Sequence, residues 1–87
     1  MSSYLCFEVI FLNDNFYVEY RDFGLSVSYF RKARGLTQQQ LADKMDVNYE
    51  TISRIENANT GLSMDMLFEL SRALGVTLHE LFAHARL

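Results

Sequence analysis

The stretch Leu36–Asn57, "LTQQQLADKMDVNYETISRIEN", decides the fold. Two short helical patterns stand back to back in it, and the connection between them has neither Pro nor Gly. Thr37 followed by Gln40 fits a capping box, in which the hydroxyl and the Gln amide each satisfy an orphan N–H. The helix it opens turns Leu41, Ala42 and Met45 inward. Asn48 is placed to cap the next helix, whose inward residues are Ile52 and Ile55. On a wheel of about 100° per residue, Glu50, Ser53, Arg54 and Asn57 fall roughly opposite those isoleucines, with Tyr49 and Thr51 on the flanks.

A helix tied closely to its predecessor, with short polar side chains outward, fits a groove about 12 Å wide. That is the helix-turn-helix arrangement. The small Ala42 lets the two helices approach, and Leu41, Met45, Val47, Ile52 and Ile55 supply the apolar contact. An ordinary helical hairpin with a solvated face is the other reading of the same spacing.

The rest of the chain is read outward from this pair. Before it, Leu25, Tyr29, Phe30 and Ala33 recur at helical spacing and Gly35 stands just past the helix end. After it, Ser63 caps a helix burying Met66, Leu67, Leu70 and Leu74, closed by Gly75. Thr77 and Glu80 form a second capping box, opening a short helix with Leu78, Leu81 and Phe82. The N-terminal "YLCFEVIFLNDNFYVEYR", residues 4–21, is aromatic and β-branched and is interrupted by Asn13-Asp14-Asn15. A two-residue loop at Asp14-Asn15 pairs Leu12 with Tyr17, Ile10 with Glu19 and Glu8 with Arg21. One face of that hairpin is then apolar, and the other matches opposite charges across strands. An isolated hairpin is marginal in water, so the apolar face must pack on something. The organisation expected is a β-hairpin extension over residues 1–22 and a mainly α domain of five helices over residues 23–87.

Composition bounds the function. Eighty-seven residues make one domain, about half of them apolar. No apolar run reaches the ~18 residues of a membrane span, and a signal peptide's basic start and cleavage site are missing. The single cysteine, Cys6, fits a reducing cytoplasm. The net charge of −3 argues against a nucleic-acid partner, but it is unevenly placed. Residues 1–22 hold Arg21 against Glu8, Asp14, Glu19 and Asp22, whereas residues 23–87 hold seven basic and seven acidic groups. His79, Glu80 and His84 lack the spacing of a metal site, and no nucleophile–base set or Gly-rich phosphate loop is present, so neither an enzyme nor a cofactor is expected.

Four ordered motifs carry a resemblance over about residues 25–82: Arg31-x-x-x-Gly35-Leu36-Thr37-Gln38, Gln39-x-Leu41-Ala42, Thr51-Ile-Ser-Arg-Ile-Glu56 and Leu67-x-x-Leu70-Ser71-x-Ala73-Leu74-Gly75-Val76. Together they resemble the Cro/C1-type (XRE-like) helix-turn-helix family. The resemblance implies a lambda-repressor-like five-helix domain whose third helix lies in the DNA major groove. The hairpin lies outside it. One departure is Asp46, where the family usually has glycine in the turn between the motif helices. Positive φ costs aspartate some strain there.

Carried over by position, Tyr49, Glu50, Ser53 and Arg54 face the bases. Arg54 is suited to guanine O6 and N7, and Glu50 to a cytosine amino group. Thr37, Gln38, Asn48, Thr51, Asn57, Asn59 and Thr60 are placed as phosphate-backbone contacts, with turn chemistry an equal reading for Asn59. Arg31 and Glu56 match a structural ion pair between the first and third helices. A helix of this kind reads few base pairs, so a homodimer on a palindromic operator is expected. Phe7, Phe11, Phe16, Leu78, Leu81 and Phe82 are its candidate interface, divided between the hairpin and the last helix. Besides a repressor or controller protein, an antitoxin with a toxin partner and a helix-turn-helix used only for protein contacts fit the same residues.

Overall fold

The computed structural model describes residues 16–87, which form five α-helices. They are α1 (Tyr17–Ala33), α2 (Gln38–Met45), α3 (Tyr49–Glu56), α4 (Met64–Leu74) and α5 (Leu78–His84). The first strand and the turn of the expected hairpin lie outside the described residues. Its second strand is not a strand, since Tyr17 to Arg21 form the first turns of α1. The aromatic and β-branched residues here favour strands only weakly, and tertiary contact overrides that preference. Tyr20 and Phe23 share a helical face, and the Phe23 ring packs on Phe82 of α5 with centroids 5.5 Å apart.

The face of α1 also differs from expectation. Leu25 and Tyr29 are 58% and 52% exposed, whereas Phe23, Gly24, Ser26 and Val27 are buried. Both sets recur at helical spacing, so periodicity alone does not choose between them. Packing chooses the set with small residues: Ser26 fits against α5, where its Oγ donates to the Leu81 carbonyl at 2.8 Å. Gly24 fits against α3.

The other four helices begin on side-chain caps. Thr37 Oγ1 accepts from Gln40 N at 3.0 Å while Gln40 Oε1 accepts from Thr37 N at 2.8 Å. Asn48 Oδ1 and Ser63 Oγ accept from Thr51 N and Met66 N. Thr77 and Glu80 complete the second capping box. Each cap satisfies one or two N–H groups that the helix start leaves open. The core gathers Phe23 and Val27 of α1, Leu41, Ala42 and Met45 of α2, Ile52 and Ile55 of α3, Leu70 and Leu74 of α4, and Leu81 of α5. Leu81 is fully buried in its own chain, so it is removed from the candidate dimer interface. Leu78 and Phe82 are half-buried, Phe16 is exposed, and Phe7 and Phe11 lie outside the described residues. No helix among the described residues is long and apolar enough to cross a membrane.

Candidate nucleic-acid interface

The turn between α2 and α3 sets the site. Asp46 ends α2 with φ 56° and ψ 44°, the left-handed region. This lets Val47 N return to the Ala42 carbonyl at 3.0 Å and swings the chain across α2. Asn48 then opens α3, engaging both the Thr51 amide and the Thr51 hydroxyl. With Ile52 and Ile55 buried, Tyr49, Glu50 and Arg54 are exposed on the opposite side and Ser53 is half-buried. Neither Glu50 nor Arg54 has a side-chain hydrogen bond or ion pair among the described residues.

The neighbouring candidates divide into free and engaged groups. Thr51 donates its hydroxyl to Asn48, so only its acceptor capacity is left. Asn57 folds back on α3, its Nδ2 donating to the Ser53 carbonyl at 2.9 Å and to Ser53 Oγ at 3.3 Å. Thr60 donates to the Gly61 carbonyl, and Asn59 is exposed. Thr37 caps α2, and the first amides of α2, from Gln38 and Gln39, have no intrahelical acceptor. The amides of Tyr49 and Glu50 have the same standing at the start of α3. Two helix N-termini are therefore available to anionic oxygen.

Behind this surface lies a bracing network. Arg31 Nε donates to Glu56 Oε2 at 2.6 Å and Nη2 donates to Glu56 Oε1 at 3.1 Å. Arg31 Nη1 donates to the Leu36 carbonyl at 2.8 Å, and Gln38 Nε2 donates to Glu56 Oε1 at 2.9 Å. The two charged side chains are 11% and 6% exposed. A buried pair repays its desolvation only when the geometry is good and the remaining lone pairs are satisfied. Both conditions hold, because the pair is bidentate and the carboxylate accepts three hydrogen bonds. One carboxylate thereby ties α1, α2 and α3 together. It also holds one amide N–H of Gln38, leaving the other N–H and the carbonyl oxygen of that side chain available.

Gly24 is a second brace, absent from the candidates read in the sequence. A Cβ built on it would lie 2.6 Å from the Ile55 carbonyl oxygen and 2.7 Å from that of Glu56. The backbone of α1 therefore rests directly on the last carbonyls of α3. Its signal in the sequence is a glycine inside a helical pattern, where its low propensity calls for a packing reason. Gly24 and Arg31 are seven residues apart, two turns of helix, so one side of α1 fixes the C-terminal end of α3 at both points. His84 stacks on Tyr29 with ring centroids 4.1 Å apart, and no trio of potential metal ligands occurs among the described residues.

The geometry agrees with comparisons to known proteins. A family model described as "Helix-turn-helix" matches residues 27–81. The competence pilus inhibition repressor of Acinetobacter baylyi is 39% identical over 61 residues, covering 70% of this chain and 56% of that protein. The chain thus spans about half the length of that relative. An uncharacterized HTH-type transcriptional regulator of Methanocaldococcus jannaschii is 31% identical over 58 residues, 67% of this chain and 88% of that protein. Among solved structures, the restriction-modification controller protein C.AhdI of Aeromonas hydrophila superposes with a TM-score of 0.74 at 27% identity, over 77% of this chain and 97% of that one. The clp gene regulator ClgR of Corynebacterium glutamicum shares the fold, with a TM-score of 0.74 at 24% identity over 78% of this chain and 88% of that one. A turn that lays α3 across α2, two open helix N-termini and a matching family model converge on one conclusion: the chain belongs to the Cro/C1-type helix-turn-helix family of DNA-binding regulators.

Proposed function

We propose that the protein represses or controls transcription by occupying a palindromic operator as a homodimer, with α3 in the major groove. The observation that carries this reading is the free Glu50–Arg54 edge of a helix whose opposite side is locked by Arg31, Glu56 and Gln38. Arg54 is the one cation on α3 and reads guanine through two donors. Glu50 accepts from a cytosine amino group and repels phosphate at wrongly docked sites. Tyr49 meets a thymine methyl or a phosphate. The open amides of α2 and α3, with Gln38, Asn48 and Asn59, hold the backbone.

Little of this grip is cationic, since Arg31 is already paired with Glu56. Affinity then falls less steeply with salt than for a basic DNA-binding domain, because fewer counterions are released. Dimerisation supplies the second half-site, about one helical turn away. A repressor and a controller protein are among the proteins this chain is similar to, which supports the regulatory reading. The dimer contact is assigned to the α5 side, where Leu78 and Phe82 keep part of their surface in water. The reading includes no catalytic step and no cofactor, and it places the protein with the chromosome in the cytoplasm.

Selection of bound duplexes from a random pool, using the full chain, tests it. The expected result is a two-fold symmetric consensus, with recognition of one guanine lost in Arg54→Ala. Binding that is indifferent to sequence, or unchanged by Arg54→Ala, sinks the proposal, and recovery of no bound duplex favours a helix-turn-helix that contacts only protein.

A further inference from the structure

Three glutamines follow one another at the start of α2, Gln38, Gln39 and Gln40, and each is anchored differently. Gln40 closes the capping box with Thr37. Gln39 Nε2 donates to Asp43 Oδ1 at 2.9 Å, between two exposed side chains of one helix. Gln38 reaches a buried partner instead: its Nε2 donates at 2.9 Å to Glu56 Oε1, on a side chain only 6% exposed. That contact closes a circuit. The Leu36 carbonyl holds Arg31 Nη1, Arg31 holds both carboxylate oxygens of Glu56, and Glu56 holds Gln38, two residues along the chain from Leu36. No side chain in this ring can turn without breaking a hydrogen bond to the next.

We propose that Glu56 is a positioning residue for DNA: through Gln38 it fixes the orientation of an amide that grips the phosphate backbone. The inference rests on the operator reading above and adds to it a residue that itself stays buried. A carboxylate paired with a guanidinium accepts hydrogen bonds and donates none. The Gln38 amide must therefore turn its nitrogen, and not its oxygen, toward Glu56. Turned over, it would set two acceptors face to face at 2.9 Å. The nitrogen carries a second N–H, unspent among the described residues, and a donor is what a phosphate oxygen requires. Gln38 is half-buried, so part of its side chain remains within reach of a ligand. A glutamine free to rotate would lose rotamer freedom on meeting DNA. Gln38 has given up that freedom already, in folding.

Two measurements on the full chain test it. In the parent protein without DNA, the two Gln38 side-chain amide protons should differ by nitrogen-edited NMR, one exchanging slowly with water and one fast, while both protons of Gln39 exchange fast. Fast exchange of both Gln38 protons overturns the proposal, whatever the variants do. The second measurement is a double-mutant cycle on the duplex recovered from the random pool. Gln38→Ala is made in the parent and in Arg31→Met combined with Glu56→Leu, which removes the carboxylate and leaves no buried charge unpaired. The cost of Gln38→Ala in affinity should shrink by a factor of about two to twelve in the second background, the share expected for ordering one long side chain. Gln39→Ala should cost the same in both. The dependence of affinity on salt should not differ between the two backgrounds, because neither Gln38 nor the buried pair gives a cation to phosphate. Equal costs of Gln38→Ala in the two backgrounds overturn the proposal and leave the operator reading standing. A salt slope lower by about one in the second background makes Arg31 a phosphate contact and overturns it as well. Recovery of no duplex ends the operator reading, and this inference with it.

Discussion

Gly24→Ala is the substitution that best separates packing from helix propensity. On propensity alone it should stabilise, because alanine in a helix interior is favoured over glycine by ~1 kcal/mol. The structure requires the opposite sign. The new Cβ would meet two backbone carbonyl oxygens at 2.6 and 2.7 Å and the Glu56 carbonyl carbon at 3.0 Å. A carbon and a carbonyl oxygen come to rest at about 3.3–3.6 Å, so α1 and α3 must part by several tenths of an ångström. Backbone atoms cannot rotate aside as a side chain would. The displacement also pulls on Arg31, two turns along the same side of α1. Overpacking of this kind costs about 1–3 kcal/mol, and loosening a buried ion pair adds a share of the 3–5 kcal/mol that its rupture costs. After subtraction of the propensity gain, the net loss is about 1–3 kcal/mol. In a domain of this size each kcal/mol moves the midpoint by roughly 4–8 °C, so a fall on the order of 5–20 °C is expected. Urea unfolding followed by helical circular dichroism gives the free energy directly. A Gly24→Ala protein as stable as the parent, or more so, would refute the close approach of α1 to α3.

The remaining predictions concern the turn, the brace and the reading edge. Asp46 and Ala58 both hold positive φ, 56° and 60°, so Asp46→Gly and Ala58→Gly should each stabilise by about 1 kcal/mol in the same urea assay. Unchanged or lower stability counts against the turn conformations. Arg31→Ala leaves Glu56 buried and unpaired and should cost about 3–5 kcal/mol, whereas Arg31→Met combined with Glu56→Leu should recover most of that loss. A double variant no better than the single one would show that the charges themselves are required. Arg54→Ala should weaken binding to the selected operator by a loss of about 1–3 kcal/mol, roughly fivefold to 150-fold, with the thermal midpoint unchanged. A drop in the midpoint would assign Arg54 to the fold instead.

Helix starts were legible wherever one side chain closes a local ring with the backbone: Thr37 with Gln40, Asn48, Ser63, and Thr77 with Glu80. The outward edge of α3 was legible because its inward residues, Ile52 and Ile55, leave one choice of face. α1 lacked both signals. It begins without a side-chain cap at Phe16, and Phe23–Val27 and Leu25–Tyr29 are equally periodic, so only contact with α3 and α5 tells them apart. The burial of Leu81 was hidden for a related reason. A short helix with three large apolar residues, Leu78, Leu81 and Phe82, does not announce which one reaches the core. The local engagement of Asn57 and Thr51 depends on rotamers that residue type does not specify.

The residues that hold α3 and the residues it presents are different sets. Gly24, Arg31, Gln38, Ile52, Ile55 and Glu56 fix its pose, while Tyr49, Glu50 and Arg54 take no part in the buried contacts. Chassis and alphabet are thus separable in this protein. On the proposed reading, new operators become reachable by rewriting three outward letters, and the domain beneath need not be redesigned when they change.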